Sequence, residues 1–243
     1  MESDSGEPLS ACHDTWPIMT SNVLDDPVWH ALTGPHRVHA LGSGKARLYP
    51  REMAPFSAIA ETSVEAHADL AAALAPGIEA RLFRPAVEVM PKGWVELTSF
   101  PMLQMVASHP PDGDASEAVI LSSADTPAML DLVAETKPGP FGRLTPSMGR
   151  YVGVRQNGVL VAMAGERLRV TGHVELSAIC VRAQARGQGF AMSLTRHLMR
   201  LTFEGGEVPF LHVRPDNAAA VALYRRLGFA TRRELVVSWR RPE

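Results

Sequence analysis

Cysteine is all but missing from this chain: Cys12 and Cys180 are the only two in 243 residues. Cys12 falls in an acidic N-terminal stretch and Cys180 in an apolar strand-like run, so a disulfide framework is excluded and a reducing, cytoplasmic setting is expected. No run of eighteen apolar residues occurs, which leaves no candidate membrane span. The first residues, Met1-Glu2-Ser3-Asp4-Ser5, are acidic where a secretory leader would be basic, and no such signal is expected. Charge of one sign is not in excess either: 24 Lys and Arg against 26 Asp and Glu leave a formal net charge of -2. That balance gives no general attraction to nucleic acid or to an anionic membrane, and neither is expected as a partner. The nine histidines show no metal-ligand spacing with acidic partners; His36 and His39, the closest pair, read as surface residues, and no metal is expected. What is present is a 46% share of apolar residues, enough for a sizeable core in one large domain or two small ones.

The most informative stretch runs from Val174 to Ala191. Val174 to Val181 is apolar and unbroken, as a strand crossing a sheet should be. Arg186-Gly187-Gln188-Gly189 then forms a turn with two glycines and a cation, and apolar Leu194, Leu198 and Leu201 follow at helical spacing. Strand, glycine turn, helix is an order with a physical use. The first N–H groups of a helix have no partner inside it and carry the positive end of its dipole. Glycines let a phosphate approach that backbone without a Cβ in the way, and Arg186 adds a charge beside it. Taken alone, the turn has a plainer explanation, since many strand-to-helix turns use glycine only to close the angle.

Two motifs decide the matter. Arg186-x-x-Gly189-x-Ala191 resembles the Arg/Gln-x-x-Gly-x-Gly/Ala pattern of the GNAT (GCN5-related) N-acyltransferase superfamily, with Ala191 an allowed small residue at the last position. Downstream, Asn217-x-x-Ala220-x-x-Leu223-Tyr224-x-x-x-Gly228-Phe229 resembles the same superfamily's second signature. The resemblance covers Val119 to the C-terminus and is closest in style to the glycine N-acyltransferase-like branch. It implies an α/β fold with a mixed, mostly antiparallel sheet whose two central parallel strands splay apart, flanked by helices. It also implies a tandem arrangement, with residues 22–107 a degenerate GNAT-like or accessory half and residues 117–243 the catalytic domain. Walling the acceptor pocket and forming a homodimer are the two roles open to that first half.

By the same resemblance, Arg186, Gly187, Gln188, Gly189, Phe190 and Ala191 would hold the pyrophosphate of acetyl-CoA. Ile179, Cys180 and Val181 would offer main-chain contacts to pantetheine, with an N–H near Val181 stabilising the oxyanion. Asn217 and Tyr224 would lie near the pantetheine arm and the sulfur. Tyr224 is the expected acid for the leaving thiolate, although it also fits a core stripe. Glu175 is the expected base; its plainer alternatives are to face solvent at the strand start or to pair with an arginine. Cys180 lacks an identifiable base and reads as a small buried residue, while His212 either lines the acceptor cleft or is packed in the core. The function implied is an acetyl-CoA-dependent N-acetyltransferase acting on a primary amine of a small molecule or amino acid. A protein N-terminal or lysine acetyltransferase and a non-catalytic CoA-binding module are the alternatives.

The remaining segments carry local signals. Residues 1–21 hold four carboxylates and no Lys or Arg, which predicts a mobile acidic tail. Asp26-Pro27 predicts a capped short helix; 46–49, 56–60, 79–83 and 94–97 predict strands, and 64–75 a helix stopped by Pro76-Gly77. Gly42-Ser43-Gly44-Lys45 lacks the first glycine and the final Ser or Thr of a phosphate loop and is rejected as one. The turn-rich segment 108–116 predicts a linker. Ala118–Leu121 predicts a strand and Ala128–Glu135 a helix, after which 136–148 would contribute to the acceptor pocket. Asn157-Gly158 between two apolar runs predicts a tight β-hairpin. Val208–Val213 and Glu234–Trp239 predict strands, and the late arginines, Arg240 and Arg241 among them, predict a solvated basic face.

Overall fold

The computed structural model describes residues 22–113 and 118–243. The acidic segment 1–21, with Cys12, and residues 114–117, which include the end of the expected 108–116 linker, lie outside the described residues. Ten strands are present among these: β1 (Ala46–Leu48), β2 (Ser57–Ile59), β3 (Ala80–Arg84), β4 (Trp94–Ala107), β5 (Val119–Leu121), β6 (Tyr151–Gln156), β7 (Val159–Val170), β8 (His173–Val181), β9 (Val208–Val213) and β10 (Phe229–Pro242). β1 and β2 pair by themselves, and the other eight form one sheet in the order β3-β10-β4-β9-β8-β7-β6-β5. Only β8 and β9 run parallel in it. This is the mixed sheet with a central parallel pair that the resemblance implied.

Alternation along the strands sends apolar side chains to both faces. Val152, Ala162 and Leu211 pack with Leu194, Leu198 and Met199 of helix α4 (Phe190–Glu204) and Val221 of helix α5 (Ala218–Arg226). On the opposite face Phe210, Leu235 and Val237 pack with Val28, Ala31 and Leu32 of helix α1 (Pro27–Thr33). Tyr151 and Met163 pack there with Met129 and Leu132 of helix α3 (Thr126–Thr136). Helix α2 (Val64–Ala73) covers β1 and β3 through Ala66 and Leu70.

Local chemistry explains several of these elements. Asp26 caps α1 by accepting from the Trp29 N–H at 3.1 Å, and Ser63 does the same for α2 through Ala66 at 3.2 Å. The β6–β7 hairpin turns on Asn157 (φ 51°) and Gly158 (φ 81°), the left-handed pair that a two-residue hairpin requires.

Four expectations need correction. Residues 22–107 do not build a second sheet of GNAT type: β3 and β4 join the sheet of the second half, and β4 lies between β10 and β9. The chain division expected near residue 107 therefore does not break the sheet. β4 also runs ten residues beyond Leu97, through Pro101. Proline is tolerated because Pro101 pairs with Val236 of β10 only, while β9 covers just Leu103–Val106, so no ladder bond is lost on the open side. His36 is buried, with Nδ1 2.8 Å from the Tyr49 hydroxyl, and burial lowers its pKa to about 4. Arg240 is buried too, donating to Glu88 at 3.0 Å and to Ser238, so the basic C-terminal face does not include it.

Candidate active site

The parallel pairing of β8 with β9 stops early. His173–Val208, Val174–Pro209 and Glu175–Phe210 are matched, yet β8 continues to Val181 and β9 to Val213. The reason lies on the other side of β8. Its register against β7 passes from Gly165–Ser177 to Met163–Cys180, three residues of β8 against two of β7, so β8 carries one extra residue. Ala178 sits in that bulge with φ 53°, left-handed and strained for a residue with a Cβ. The bulge bends β8 away from β9 and leaves facing backbone groups of both strands without a ladder partner in the gap.

A cavity of about 660 Å³ opens at this gap. One wall is β8 from Leu176 to Val181, including Ile179 and Cys180; another is Asn217, Leu223 and Tyr224 at α5. Thr136, the last residue of α3, and Lys137 to Pro140 line the cavity too, whereas 141–148 of the segment expected at the acceptor pocket do not. Arg167 of β7 and His212 to Arg214 at the end of β9 also line it, and the first half and β10 add Phe56, Arg81, Phe83, Phe100, Met102 and Trp239. Sequence alone did not single out this last group, because no local motif marks them and only the sheet order brings them together.

A second hollow of about 260 Å³ lies at the glycine turn and shares Val181, Arg186, Ala191 and Leu223 with the main cavity. Gly187 (φ 78°) and Gly189 (φ 81°) are both left-handed, and a Cβ on either would meet nothing within 4 Å. The glycines are therefore needed for backbone shape and open approach, not to relieve a clash. α4 begins at Phe190 with no side-chain cap and no acidic residue in its first turn. Its leading N–H groups face the hollow's side of the turn uncapped, an anion site in both hydrogen bonding and field. Arg186 lies beside it, its Nε 3.4 Å from the Val181 carbonyl. Gln188 accepts from Gln156 at 3.0 Å, and Phe190 packs into the α4 core.

Asn217 is the cap of α5, its Oδ1 accepting from the Ala220 N–H at 3.2 Å. Tyr224 lies seven residues on along α5 and lines the cavity; burial pushes its phenol up to about 12, so it carries its proton at neutral pH. Cys180 is buried at the bulge, and burial raises its thiol as well.

Glu175 is placed differently from expectation. It is fully buried and is not part of the cavity wall. Its Oε2 and Oε1 accept from Arg167 Nε and Nη2 at 2.8 and 2.7 Å, and Oε1 is 2.7 Å from His212 Nδ1. Burial alone would raise this carboxyl, but the Arg167 guanidinium and the bonds from Arg167 and His212 outweigh it and hold it at about 2. A carboxylate so satisfied, with Arg167 and His212 between it and the cavity, lacks the geometry to take a proton directly from an acceptor. The arginine-paired alternative is the one the structure draws. Gln104, fully buried, completes the arrangement: it accepts from Arg232 at 2.8 Å and donates from Nε2 to Leu24 O at 2.8 Å and toward His212 Nε2 at 3.2 Å. His212 is thereby fixed as the tautomer that donates from Nδ1. These side chains tie β7, β8 and β9 together at the last matched pair, where the strands begin to diverge. Arg167 was not anticipated; the signal was Glu166 and Arg167 just after the apolar run Val159 to Ala164 of one strand.

Among the described residues no group of three His, Cys, Asp or Glu could hold a metal ion, and no helix is long and apolar enough to cross a membrane.

Comparison with known proteins agrees with this geometry. The profile of a family described as FR47-like protein matches residues 151–238, which include β8, the glycine turn and α5. An N-alpha-acetyltransferase RimI of Mycobacterium tuberculosis (strain ATCC 25618 / H37Rv) is 43% identical over 96 residues, covering 38% of this chain and 60% of that protein. The match thus spans less than two thirds of that relative's length. The [ribosomal protein bS18]-alanine N-acetyltransferase of Escherichia coli (strain K12) is 32% identical over 115 residues, 45% of this chain and 77% of the relative. A crystal structure from Novosphingobium aromaticivorans DSM 12444, assigned to the GNAT family of acetyltransferases, superposes with a TM-score of 0.85 at 36% identity, covering 92% of this chain and all of the other. Splayed strands, glycine turn, second signature and relatives all lead to one place: the chain belongs to the GNAT superfamily of N-acetyltransferases.

Proposed function

We propose that this chain transfers an acetyl group from acetyl-CoA directly to an α-amino group. The observation that carries the proposal is the continuity of three features: the gap between β8 and β9, the cavity behind it, and the uncapped helix start at Gly187 to Ala191. Pantetheine has the spacing of a peptide, so the unmatched backbone of Ile179, Cys180 and Val181 offers it the bonds a neighbouring strand would have made. Arg186 and the N–H groups from Gly187 to Ala191 suit the pyrophosphate in charge and in approach. With acetyl-CoA supplying the thioester, an N–H near Val181 is the donor toward the charge that develops on its oxygen. Tyr224, protonated at neutral pH, is the donor to the departing thiolate.

The acceptor class follows from proton economy. At pH 7 freeing a lysine-type amine of its proton costs about 4.6 kcal/mol, against about 1.4 kcal/mol for an α-amine with pKa near 8. Among the described residues the cavity wall offers Lys137, Arg81, Arg167, Arg186 and Arg214 and no carboxylate, so it neither holds an ammonium nor takes its proton. Such a wall suits an amine that arrives neutral and sheds its proton to water after attack. The names of the relatives, an N-alpha- and an alanine N-acetyltransferase, support the same class. Thiol release from acetyl-CoA tests this with three acceptors: a peptide with a free N-terminus, an N-terminally blocked lysine peptide, and none. Release should follow the free N-terminus. Release with lysine alone would overturn the acceptor class, and coenzyme binding without release to any amine would leave a CoA-binding module.

A further inference from the structure

The cavity carries cations apart from the glycine turn. The Arg81 guanidinium on β3 stacks 3.8 Å from the centre of the Trp239 ring on β10, and that of Arg214, just past β9, lies 5.1 Å from Phe100 on β4. The Phe100 and Trp239 rings meet edge to face at 6.2 Å, so these four residues form one patch drawn from neighbouring strands, and all four line the cavity. Each guanidinium is fixed along its Nε–Nη2 edge by one carboxylate: Arg81 Nε and Nη2 share Glu79 Oε1 at 3.2 and 2.9 Å, and Arg214 Nε and Nη2 donate to Asp216 at 3.0 and 2.6 Å. Neither Glu79 nor Asp216 is part of the wall. In a chain whose formal charge is -2, this local sign is a property of the site and not of the whole protein. The carboxylate takes the Nε–Nη2 edge of each guanidinium, so the Nη1 end is the part left to meet a ligand's carboxylate, and the ring beside it takes apolar surface.

We propose that Arg81 and Arg214, on their Trp239 and Phe100 platform, are the acceptor subsite, and that they select an α-amine that also bears a carboxylate. Two sources share that chemistry, a free amino acid and a peptide with an acidic residue near its N-terminus. The inference rests on the N-acetyltransferase reading above: the amine reaches the gap at β8 while the carboxylate meets the guanidinium patch.

The test is kcat/KM for matched acceptors, free amino acids against their amides and acidic peptides against their Asn or Gln counterparts. It is run on the wild-type chain, Arg81→Gln and Arg214→Gln, at low and high salt. In one matched set the acid form should be favoured at least tenfold, mainly through KM. The ratio should fall toward one in Arg81→Gln, partly in Arg214→Gln, and in high salt. Preference among free amino acids alone identifies that source, and preference among peptides alone identifies the other. Arg81 pairs across the sheet with Trp239, so coenzyme binding and melting temperature report whether its variant is folded; Arg214 is exposed and carries the test if it is not. Equal rates for acids and amides in the wild type, or an unchanged ratio in both variants, overturn the inference and leave the acetyltransferase standing. No thiol release with any amine removes both.

Discussion

Replacing Glu175 by Gln removes one charge from a place where three strands are tied together. The side chain keeps its size, but Arg167, with only 9% of its side chain exposed, is left as a cation without its bidentate partner. Two routes give the magnitude. A carboxyl moved from its ordinary 4.5 to about 2 on folding contributes about 3 kcal/mol at neutral pH. Independently, breaking one side of a buried ion pair costs about 3–5 kcal/mol. The two agree closely enough to predict a loss of about 3 kcal/mol, and a fall in melting temperature on the order of 10 °C for a chain of this size.

The pH dependence has a definite sign. Above about pH 4.5 folded and unfolded chains both carry the charge, and the whole contribution is present. Between about 4.5 and 2 the unfolded chain takes up the proton and the folded one resists it, so the contribution fades as pH falls. Urea denaturation of wild type and Glu175→Gln at pH 7, 5, 4 and 3 should therefore show a gap that is wide and flat down to about pH 5 and then narrows. Equal stability at pH 7, or a gap that ignores pH, would refute the account of Glu175 as a strand-tying charge. A variant of wild-type stability that had lost only its turnover would instead restore it as a base.

Tyr224→Phe should keep coenzyme binding and lose turnover by about 100-fold, the low end for a general acid because a thiolate with pKa near 8.5 leaves readily. Thiol release and calorimetry on the same preparation check it, and unchanged turnover would make Tyr224 a packing residue. Ala178→Gly relieves left-handed strain of about 1–2 kcal/mol at the expense of about 0.5–1 kcal/mol of chain entropy, so thermal melting should show a variant as stable as wild type or up to about 1.5 kcal/mol more stable. Ala178→Val should lose both stability and acetyl-CoA affinity; a stable, tightly binding valine variant would contradict the role given to the bulge.

What could be read from the sequence was what neighbours in the chain determine. Asn157-Gly158 specifies its hairpin alone, and the turn from Arg186 to Ala191 needs only its glycines and the helix after it, so both were legible. Pro101 hid the second part of β4, because whether proline is tolerated there depends on where β9 ends, more than a hundred residues later. Glu175 was expected as a base, but its partners Arg167 and His212 come from two other strands, and Gln104, which meets His212, from a third. The same holds for His36, buried through Tyr49, and for Arg240, buried against Glu88. The aromatic wall of the cavity was the least legible part: Phe56, Phe100 and Trp239 sit in segments with no shared motif, joined only by sheet order.

The central claim is that the backbone and Arg186 at the start of α4 hold a diphosphate while the gap between β8 and β9 takes the arm that follows it. Calorimetric titration with acetyl-CoA of the wild-type chain and of Arg186→Gln measures this most directly. Saturable binding by the wild type, weakened about 10–100-fold in the variant as loss of a charge-assisted hydrogen bond requires, is the predicted result. No heat at millimolar coenzyme from a folded wild-type chain, or equal affinity in the two proteins, would contradict it.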